Sequence, residues 1–264
     1  MDNTLRFGNF TSSKIVALTT NPTAAAIKRG EVFGAPAITY IEEKNFERKL
    51  GQVLDIESDA RPLTWGKVCE FRIIDIVPFD YRITSQVTDT HPAISYWRGS
   101  KDARKDDEGG TVVDFKCPMT RKSFCQLVEP LYNGLDGMEA INHIRENHKD
   151  GEKYYWQLVS NAIINNCEHA ELIVYMPYLS ELPEVISLGI QQSVRWIEYA
   201  DTNELPFLID GGYYKNVNTI RFIIPQEDKD FLTARVLEAG KMLIEVPNVI
   251  VANYDKEVNT TIIE

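Results

Sequence analysis

The sequence has few of the residues that build zinc sites and disulfide frameworks. Its 264 residues include four cysteines and four histidines. The cysteines form no CxxC pair and lie far apart, at Cys69, Cys117, Cys125 and Cys167. Zinc fingers need closer ligand pairs, and small secreted domains need a higher cysteine density. We therefore expect reduced, buried thiols in a cytoplasmic protein.

Long hydrophobic runs are also missing. No stretch of the sequence approaches the roughly 20 apolar residues that span a bilayer. The first residues, MDNTLRFGNF, show no basic region followed by an apolar run, which a secretory signal would have. We therefore expect no membrane partner.

Basic residues are outnumbered by acidic ones. The chain has 28 Lys and Arg against 39 Asp and Glu, which gives a formal net charge of -11. Taken alone, this charge argues against a nucleic-acid ligand, because phosphates repel a protein of the same sign. The excess is uneven, however: residues 1–30 carry four basic side chains and one acidic, whereas residues 180–264 carry 7 basic and 14 acidic. We expect any DNA contact to be local, with an acidic surface elsewhere.

The hydrophobic pattern predicts a single α/β domain over residues 1–264, since a chain of this length can bury one large core. Helical periodicity is present at 37–50, 65–76, 152–165, 184–199 and 227–245. Strand-like runs occur at 93–98, 111–116, 170–176 and 217–224. We expect a catalytic core at about 5–178 and a C-terminal elaboration at about 179–264.

The segment Gly99–Pro118, GSKDARKDDEGGTVVDFKCP, carries the most chemical information. Alternation along a strand places Asp114 and Lys116 on the same side. Asp102 precedes the turn of the same hairpin, so an antiparallel return can bring it beside Asp114. Two adjacent carboxylates repel each other, and a divalent cation with oxygen ligands, Mg²⁺ or Mn²⁺, relieves that repulsion. A lysine beside them can hold a metal-bound water, an arrangement that suits phosphodiester hydrolysis.

Other acidic residues compete with this interpretation. Asp106, Asp107 and Glu108 at the hairpin tip are alternatives to Asp102. A second acid-x-lysine pattern occurs at Glu42–Lys44, where we expect a solvated helix face.

Four blocks of the sequence, in the same order, resemble the PD-(D/E)XK nuclease superfamily, and specifically the phage-type alkaline exonucleases of the lambda exonuclease and YqaJ recombinase group. The blocks are Arg6–Ser13 (RFGNFTSS), Trp65–Glu70 (WGKVCE), Gly99–Pro118, and Tyr154–Gln157 (YYWQ) followed by AELIVYMP. They span roughly residues 5–178. Lys101 stands where the family usually has a proline, and Asp114 stands where many members have Glu.

The resemblance implies a restriction-endonuclease-like core, with a central mixed β-sheet flanked by helices. It implies a Mg²⁺- or Mn²⁺-dependent, 5′-to-3′ exonuclease on linear double-stranded DNA that leaves 3′ overhangs for phage-type recombination. It further implies a homo-oligomer, in the form of a trimeric ring, and a single-strand annealing protein as partner. The location would be the host cytoplasm if the protein is phage-encoded.

The resemblance also implies roles for individual residues. Two metal ions would be held by Glu70, Asp102, Asp114 and the backbone carbonyl of Phe115. Lys116 would activate the water, Gln157 would face the scissile phosphate, and Arg6 and Ser13 would contact the 5′-terminal phosphate. The alternatives are an endonuclease or nickase of the same superfamily, a non-catalytic DNA-end-binding module, and a nuclease acting on RNA.

Overall fold

The computed structural model of the protein describes residues 6–54, 60–78, 80–84 and 87–245. These residues form eight strands and nine α-helices, so the expected α/β class is confirmed. The strands are β1 Phe10–Thr11, β2 Arg82–Ile83, β3 Asp89–Thr90, β4 Trp97–Gly99, β5 Ala103–Lys105, β6 Thr111–Lys116, β7 His169–Tyr175 and β8 Val217–Ile223. The helices are α1 Ala24–Lys28, α2 Ala35–Leu50, α3 Arg61–Ile76, α4 Arg121–Tyr132, α5 Gly137–Asn147, α6 Gly151–Asn165, α7 Leu182–Gln191, α8 Arg195–Glu198 and α9 Gln226–Gly240. Short 3-10 helices lie at Ser12–Thr19, Leu179–Glu181 and Thr202–Glu204.

The central sheet has five strands in the order β2-β5-β6-β7-β8. Strands β6 and β7 pair in parallel, and the other neighbours pair antiparallel, so the sheet is mixed, as the resemblance implies. A smaller sheet, β1-β4-β3, joins the N-terminal block to the chain just before the hairpin. Strand β8 pairs with all seven residues of β7, so the C-terminal part of the chain belongs to the same sheet.

Each face of the central sheet is covered by its own hydrophobic cluster. Val112 and Leu172 pack into the larger cluster, which contains buried side chains of α6 and α9. Val113, Phe115 and Ile173 pack into the smaller cluster, beneath α3 and α7. Because side chains alternate along a strand, Asp114 and Lys116 lie on the α6 side.

No helix in the described part of the chain is long and apolar enough to cross a membrane.

Several predicted boundaries differ from the structure. The strand expected at 93–98 forms at Trp97–Gly99, because His91 Nδ1 accepts the backbone N–H groups of Ala93 and Ile94 and holds a turn there. The helix expected over 184–199 is interrupted after α7, where Ser193 adopts a positive φ of 60°. Helix α3 begins at Arg61 rather than at residue 65, and α9 ends at Gly240 rather than at residue 245. Helices α4 and α5 were not predicted.

Candidate active site

The end of strand β6 places a buried carboxylate next to a lysine. Asp114 is 1% exposed, and its Oδ1 atom accepts a hydrogen bond of 2.7 Å from Gln157 Nε2 on α6. Lys116 lies two residues further along the same side of the strand, and its ammonium forms an ion pair with Asp114 Oδ2. The two side chains therefore meet because of the period of the strand, and α6 supplies the third member.

The β5–β6 hairpin brings Asp102 to the same place. Asp102 directly precedes β5, and its backbone N–H donates to the carbonyl of Val113 at 3.0 Å. Its Oδ2 atom accepts the backbone N–H of Phe115 at 2.6 Å, so the carboxylate lies beside the residue that separates Asp114 from Lys116. The antiparallel return expected from the sequence accounts for this approach.

The acidic residues of the hairpin tip lie at the opposite end of β6. Asp107 accepts hydrogen bonds from Thr111 Oγ1 at 2.9 Å and from Arg221 at 2.6 Å. Asp106 forms an ion pair with Arg104 at 2.9 Å. Since each strand residue advances the chain by about 3.3 Å, Thr111 and Asp114 are separated by roughly 10 Å along β6. The geometry therefore favours Asp102 over Asp106 and Asp107 as the partner of Asp114.

Tyr154 also belongs to the site, although it was not among the site residues predicted from the sequence. The ammonium of Lys116 lies 4.9 Å from the centre of the Tyr154 ring, which is cation–π distance. Tyr154 and Gln157 are three residues apart on α6, so they lie on the same face of the helix. That spacing is the signal in the sequence that could have assigned Tyr154 to the site.

The carboxylates influence one another electrostatically. The pKa of Glu70, on α3, is raised from 4.5 to about 7, chiefly by burial; Asp114 contributes to the rise, while Lys116 and Lys67 oppose it. Burial, together with Asp114 and Glu70, also holds the pKa of Asp102 well above its usual value. Burial alone would lower the pKa of Lys116, but the adjacent carboxylates of Asp114 and Asp102 outweigh it and raise that pKa. The site thus concentrates negative charge where desolvation makes it costly.

The donor set suits a hard divalent cation, although it is not preassembled. Within the described ranges, no three Asp, Glu, His or Cys side chains stand close enough together to hold a metal as they are. Asp114 Oδ2 is nevertheless buried, and apart from the Lys116 ion pair it accepts no regular hydrogen bond from the described residues. Carboxylate oxygens are the ligands that Mg²⁺ and Mn²⁺ prefer. The N–H of Phe115 points to Asp102, and its carbonyl lies on the same edge of the strand.

The N-terminal block that contains Arg6 and Ser13 is fixed to helix α2. Gly8 has a φ of 66°, its N–H donates to Glu47 Oε2 at 2.7 Å, and its carbonyl accepts from Arg48 Nε at 2.8 Å. Glu47 also pairs with Lys44 at 2.8 Å, and both side chains are buried. The solvated face expected at Glu42–Lys44 is therefore wrong at Lys44, because the N-terminal block packs over this part of α2.

The same block reaches the helix that carries Gln157. Ser12 Oγ lies 2.8 Å from Ser160 Oγ, and Ser160 is three residues after Gln157 on α6. Ser160 Oγ also accepts from Trp97 Nε1 at 2.8 Å. Ser13 is half-buried, and its Oγ lies 3.4 Å from Thr11 Oγ1. The structure thus brings Asp114, Lys116 and Gln157 into direct contact and holds Asp102 against the backbone of Phe115 beside them. It connects the N-terminal block to this site through α6.

Comparison by sequence gives no match: no family model fits the chain, and no curated protein resembles it closely enough to be counted. Comparison by structure is informative. A phage-related exonuclease from Haemophilus somnus 129PT superposes with a TM-score of 0.61 at 15% identity, covering 91% of this chain and 95% of that chain. The alkaline exonuclease LHK-Exo from Laribacter hongkongensis superposes with a TM-score of 0.51 at 14% identity. Its complex with dAMP gives a TM-score of 0.54 at 13% identity, and in both cases the match covers 98% of this chain and 97% of that chain.

These matches extend over nearly the whole chain, including the part beyond residue 178. At 13–15% identity, they establish a common fold. The resemblance to phage-type alkaline exonucleases, first inferred from four short blocks, is therefore confirmed at the level of the fold: the chain has the architecture of this group of nucleases.

Proposed function

We propose that the chain is a metal-dependent exonuclease that hydrolyses phosphodiester bonds of linear double-stranded DNA from the 5′ end. It would leave 3′ single-stranded overhangs for phage-type recombination. One observation carries the proposal: Asp102, Asp114, Lys116 and Gln157 converge on the end of β6. The fold neighbours support it, since they are described as exonucleases and one is a complex with dAMP.

Each residue has a role that follows from its chemistry. Glu70, Asp102, Asp114 and the Phe115 carbonyl would hold one or two Mg²⁺ or Mn²⁺ ions. A bound ion would supply Lewis acidity and a more acidic water. Because its pKa is raised, Lys116 is an ammonium at neutral pH, and it would position the attacking water and offset charge on the phosphate. Gln157 orients Asp114 and would face the scissile phosphate.

The direct test is digestion of a linear duplex that carries 5′-phosphates, with Mg²⁺ or with EDTA. We expect Asp114→Ala and Lys116→Ala to lower the rate by about 10²-fold or more, because the first would remove a metal ligand and the second the cation that positions the attacking water. Glu139→Ala, at an exposed position of α5, is the matched control and should digest DNA like the wild type. Full activity in both site variants would show that the assignment is wrong.

A second substrate separates an exonuclease from an endonuclease or nickase of the same fold. Covalently closed circular DNA has no end, so the wild type should leave it intact while it degrades the linear form. Rapid loss of the closed circle would contradict the proposal and support the alternative.

The 5′-phosphate preference depends on Arg6 and Ser13 in the proposal. A guanidinium can bind a phosphate through two parallel hydrogen bonds. We expect Arg6→Ala to reduce the preference for 5′-phosphorylated over 5′-hydroxyl duplex ends, and Ser13→Ala to reduce it less. The ratio of the two initial rates is the measurement, and an unchanged ratio in Arg6→Ala would refute the role of this residue.

The proposal includes a homotrimer and a single-strand annealing protein as partner, both on the strength of the resemblance. A trimer of a 30.1 kDa chain has a mass of about 90 kDa, which light scattering distinguishes from a monomer. We also propose that residues 1–264 form one nuclease domain.

A further inference from the structure

A groove lined by aromatic side chains lies at the same edge of the central sheet as the candidate active site and has no part in the chemistry described so far. Its volume is about 700 Å³, and Arg121, Phe207, Ile209, Tyr213 and Tyr214 line it. Tyr213 is 72% exposed and Ile209 is 66% exposed. Large apolar side chains grouped on a surface commonly mark a binding site.

The aromatic rings of the groove are held in place by their neighbours. The ring centres of Tyr213 and Tyr214 lie 5.0 Å apart, and that of Tyr132 lies 5.1 Å from Tyr213 and 4.9 Å from Tyr214. Tyr214 donates its hydroxyl hydrogen to Glu129 at 2.5 Å, and the Tyr132 hydroxyl accepts the Lys215 N–H at 2.7 Å. A flat ring that is already fixed loses little conformational entropy when a ligand stacks on it.

The charge of the groove differs from that of the chain as a whole. The chain has a net charge of -11, yet among the described residues that line the groove none is acidic and one, Arg121, is basic. The Arg121 guanidinium lies 4.7 Å from the centre of the Phe207 ring, and its Nε donates to the Phe207 carbonyl at 3.2 Å. Among the residues that line the groove, a negatively charged ligand would therefore meet a fixed cation and no carboxylate.

The groove lies at the same edge of the sheet as Lys116. Strands β6 and β7 are parallel, so their C-terminal ends share that edge. Leu208 donates its N–H to the carbonyl of Pro177, two residues after β7, at 2.8 Å. Arg121, which also lines the groove, follows Lys116 by five residues, so the Cα atoms of these two residues are separated by at most about 17 Å.

We propose that this groove binds unpaired bases of a DNA strand next to the point of cleavage, with a base stacked on Tyr213 and a backbone phosphate near Arg121. Aromatic platforms beside a cation bind single strands of any sequence, because every base has a π-face. The inference rests on the proposed function for the class of its ligand, DNA. It adds a contact to single-stranded DNA that the residues of the β6 site do not supply.

The test is the binding of a short, fluorescently labelled oligothymidylate in EDTA, measured by polarisation. Tyr213→Ala should weaken binding about 5- to 150-fold, the range expected for the loss of one base–aromatic stack. Tyr213→Trp should retain binding, because indole also stacks. Tyr199→Ala, which removes an equally exposed tyrosine (79%) outside the groove, is the matched control and should bind like the wild type.

One further measurement distinguishes base stacking from attraction between charges, and another distinguishes binding in the groove from nuclease activity. A chain of abasic sugar-phosphates of the same length should compete poorly; equal competition would overturn stacking. Unchanged affinity in Tyr213→Ala, or no oligonucleotide binding by the wild type, would overturn the inference as well. Asp114→Ala should lose nuclease activity and keep oligonucleotide binding, so failure of the proposed function and failure of the groove give different results.

Discussion

Glu70 gives the candidate site a pH dependence that can be measured without substrate. Burial raises the pKa of this carboxyl from 4.5 to about 7 in the folded chain. The protonated form is therefore favoured by folding, and the resulting stabilisation is fully present below pH 4.5 and is lost as the pH rises through 7. Between these limits, in EDTA, we expect the free energy of unfolding to fall with increasing pH.

The size of the effect follows from the pKa shift. One pKa unit corresponds to about 1.4 kcal/mol, so a rise from 4.5 to about 7 is worth about 3 kcal/mol for a fully buried group. Glu70 is partly exposed, and solvent screening reduces the expected contribution to about 1–3 kcal/mol. Asp102, whose pKa is also raised, contributes in the same direction.

The assay is urea unfolding in EDTA at a series of pH values for the wild type and Glu70→Gln. The glutamine variant cannot titrate at this position, so its stability should decline less between pH 4.5 and 7. Glu139→Gln, at an exposed site, should follow the wild type. Parallel pH profiles for the wild type and Glu70→Gln would refute the reasoning, because they would mean that Glu70 titrates alike in the folded and unfolded chains.

Three further substitutions test the packing around the site. Gln157→Leu leaves Asp114 Oδ1 buried without its donor, and we expect a loss of about 1–3 kcal/mol in urea unfolding as well as a slower nuclease; unchanged stability would contradict this. Tyr154→Leu removes the ring beneath the lysine ammonium and should lower the cleavage rate about 2- to 30-fold, whereas Tyr154→Phe should keep it; equal rates in the two variants would exclude a role for the ring. Gly99→Ala would place a Cβ atom 2.3 Å from the side-chain oxygen of Asn161, and it should lower the free energy of unfolding by about 1–3 kcal/mol. The control is Gly66→Ala on helix α3, where an added Cβ would have no neighbour within 4 Å, so this variant should be as stable as the wild type or slightly more stable. Similar melting temperatures for the two alanine variants would argue against tight packing at residue 99.

The sequence predicted the relation between Asp114 and Asp102 because that relation depends on local geometry. Alternation along β6 and the return of a hairpin are properties of the backbone, and both can be inferred from neighbouring residues. The strand that pairs with β6 was placed wrongly, however, because a strand was expected at 93–98 and none at 103–105. Residues 93–96 have strand-like composition, but the hydrogen bonds of the His91 ring turn them, and the shorter strand β5 pairs with β6.

The features that the sequence did not predict depend on contacts between distant parts of the chain. Helix α4 contains Pro130, which normally argues against a helix, and this residue is buried in the folded protein. Lys44 has the sequence context of a surface residue, and its burial depends on the N-terminal block that crosses α2. The contact of Tyr154 with Lys116 requires α6 to lie across β6, which no local pattern specifies.

The pairing of β8 with β7 constrains how this protein can be made. Residues 217–223 supply the hydrogen bonds for one whole side of β7, which in turn flanks the strand of Asp114 and Lys116. A nascent chain released by the ribosome at about residue 178 would carry every proposed catalytic residue, yet the long edge of β7 would be exposed, and such edges promote aggregation. Truncated translation products should therefore be insoluble rather than active. The proposed nuclease activity would therefore require synthesis to pass residue 223.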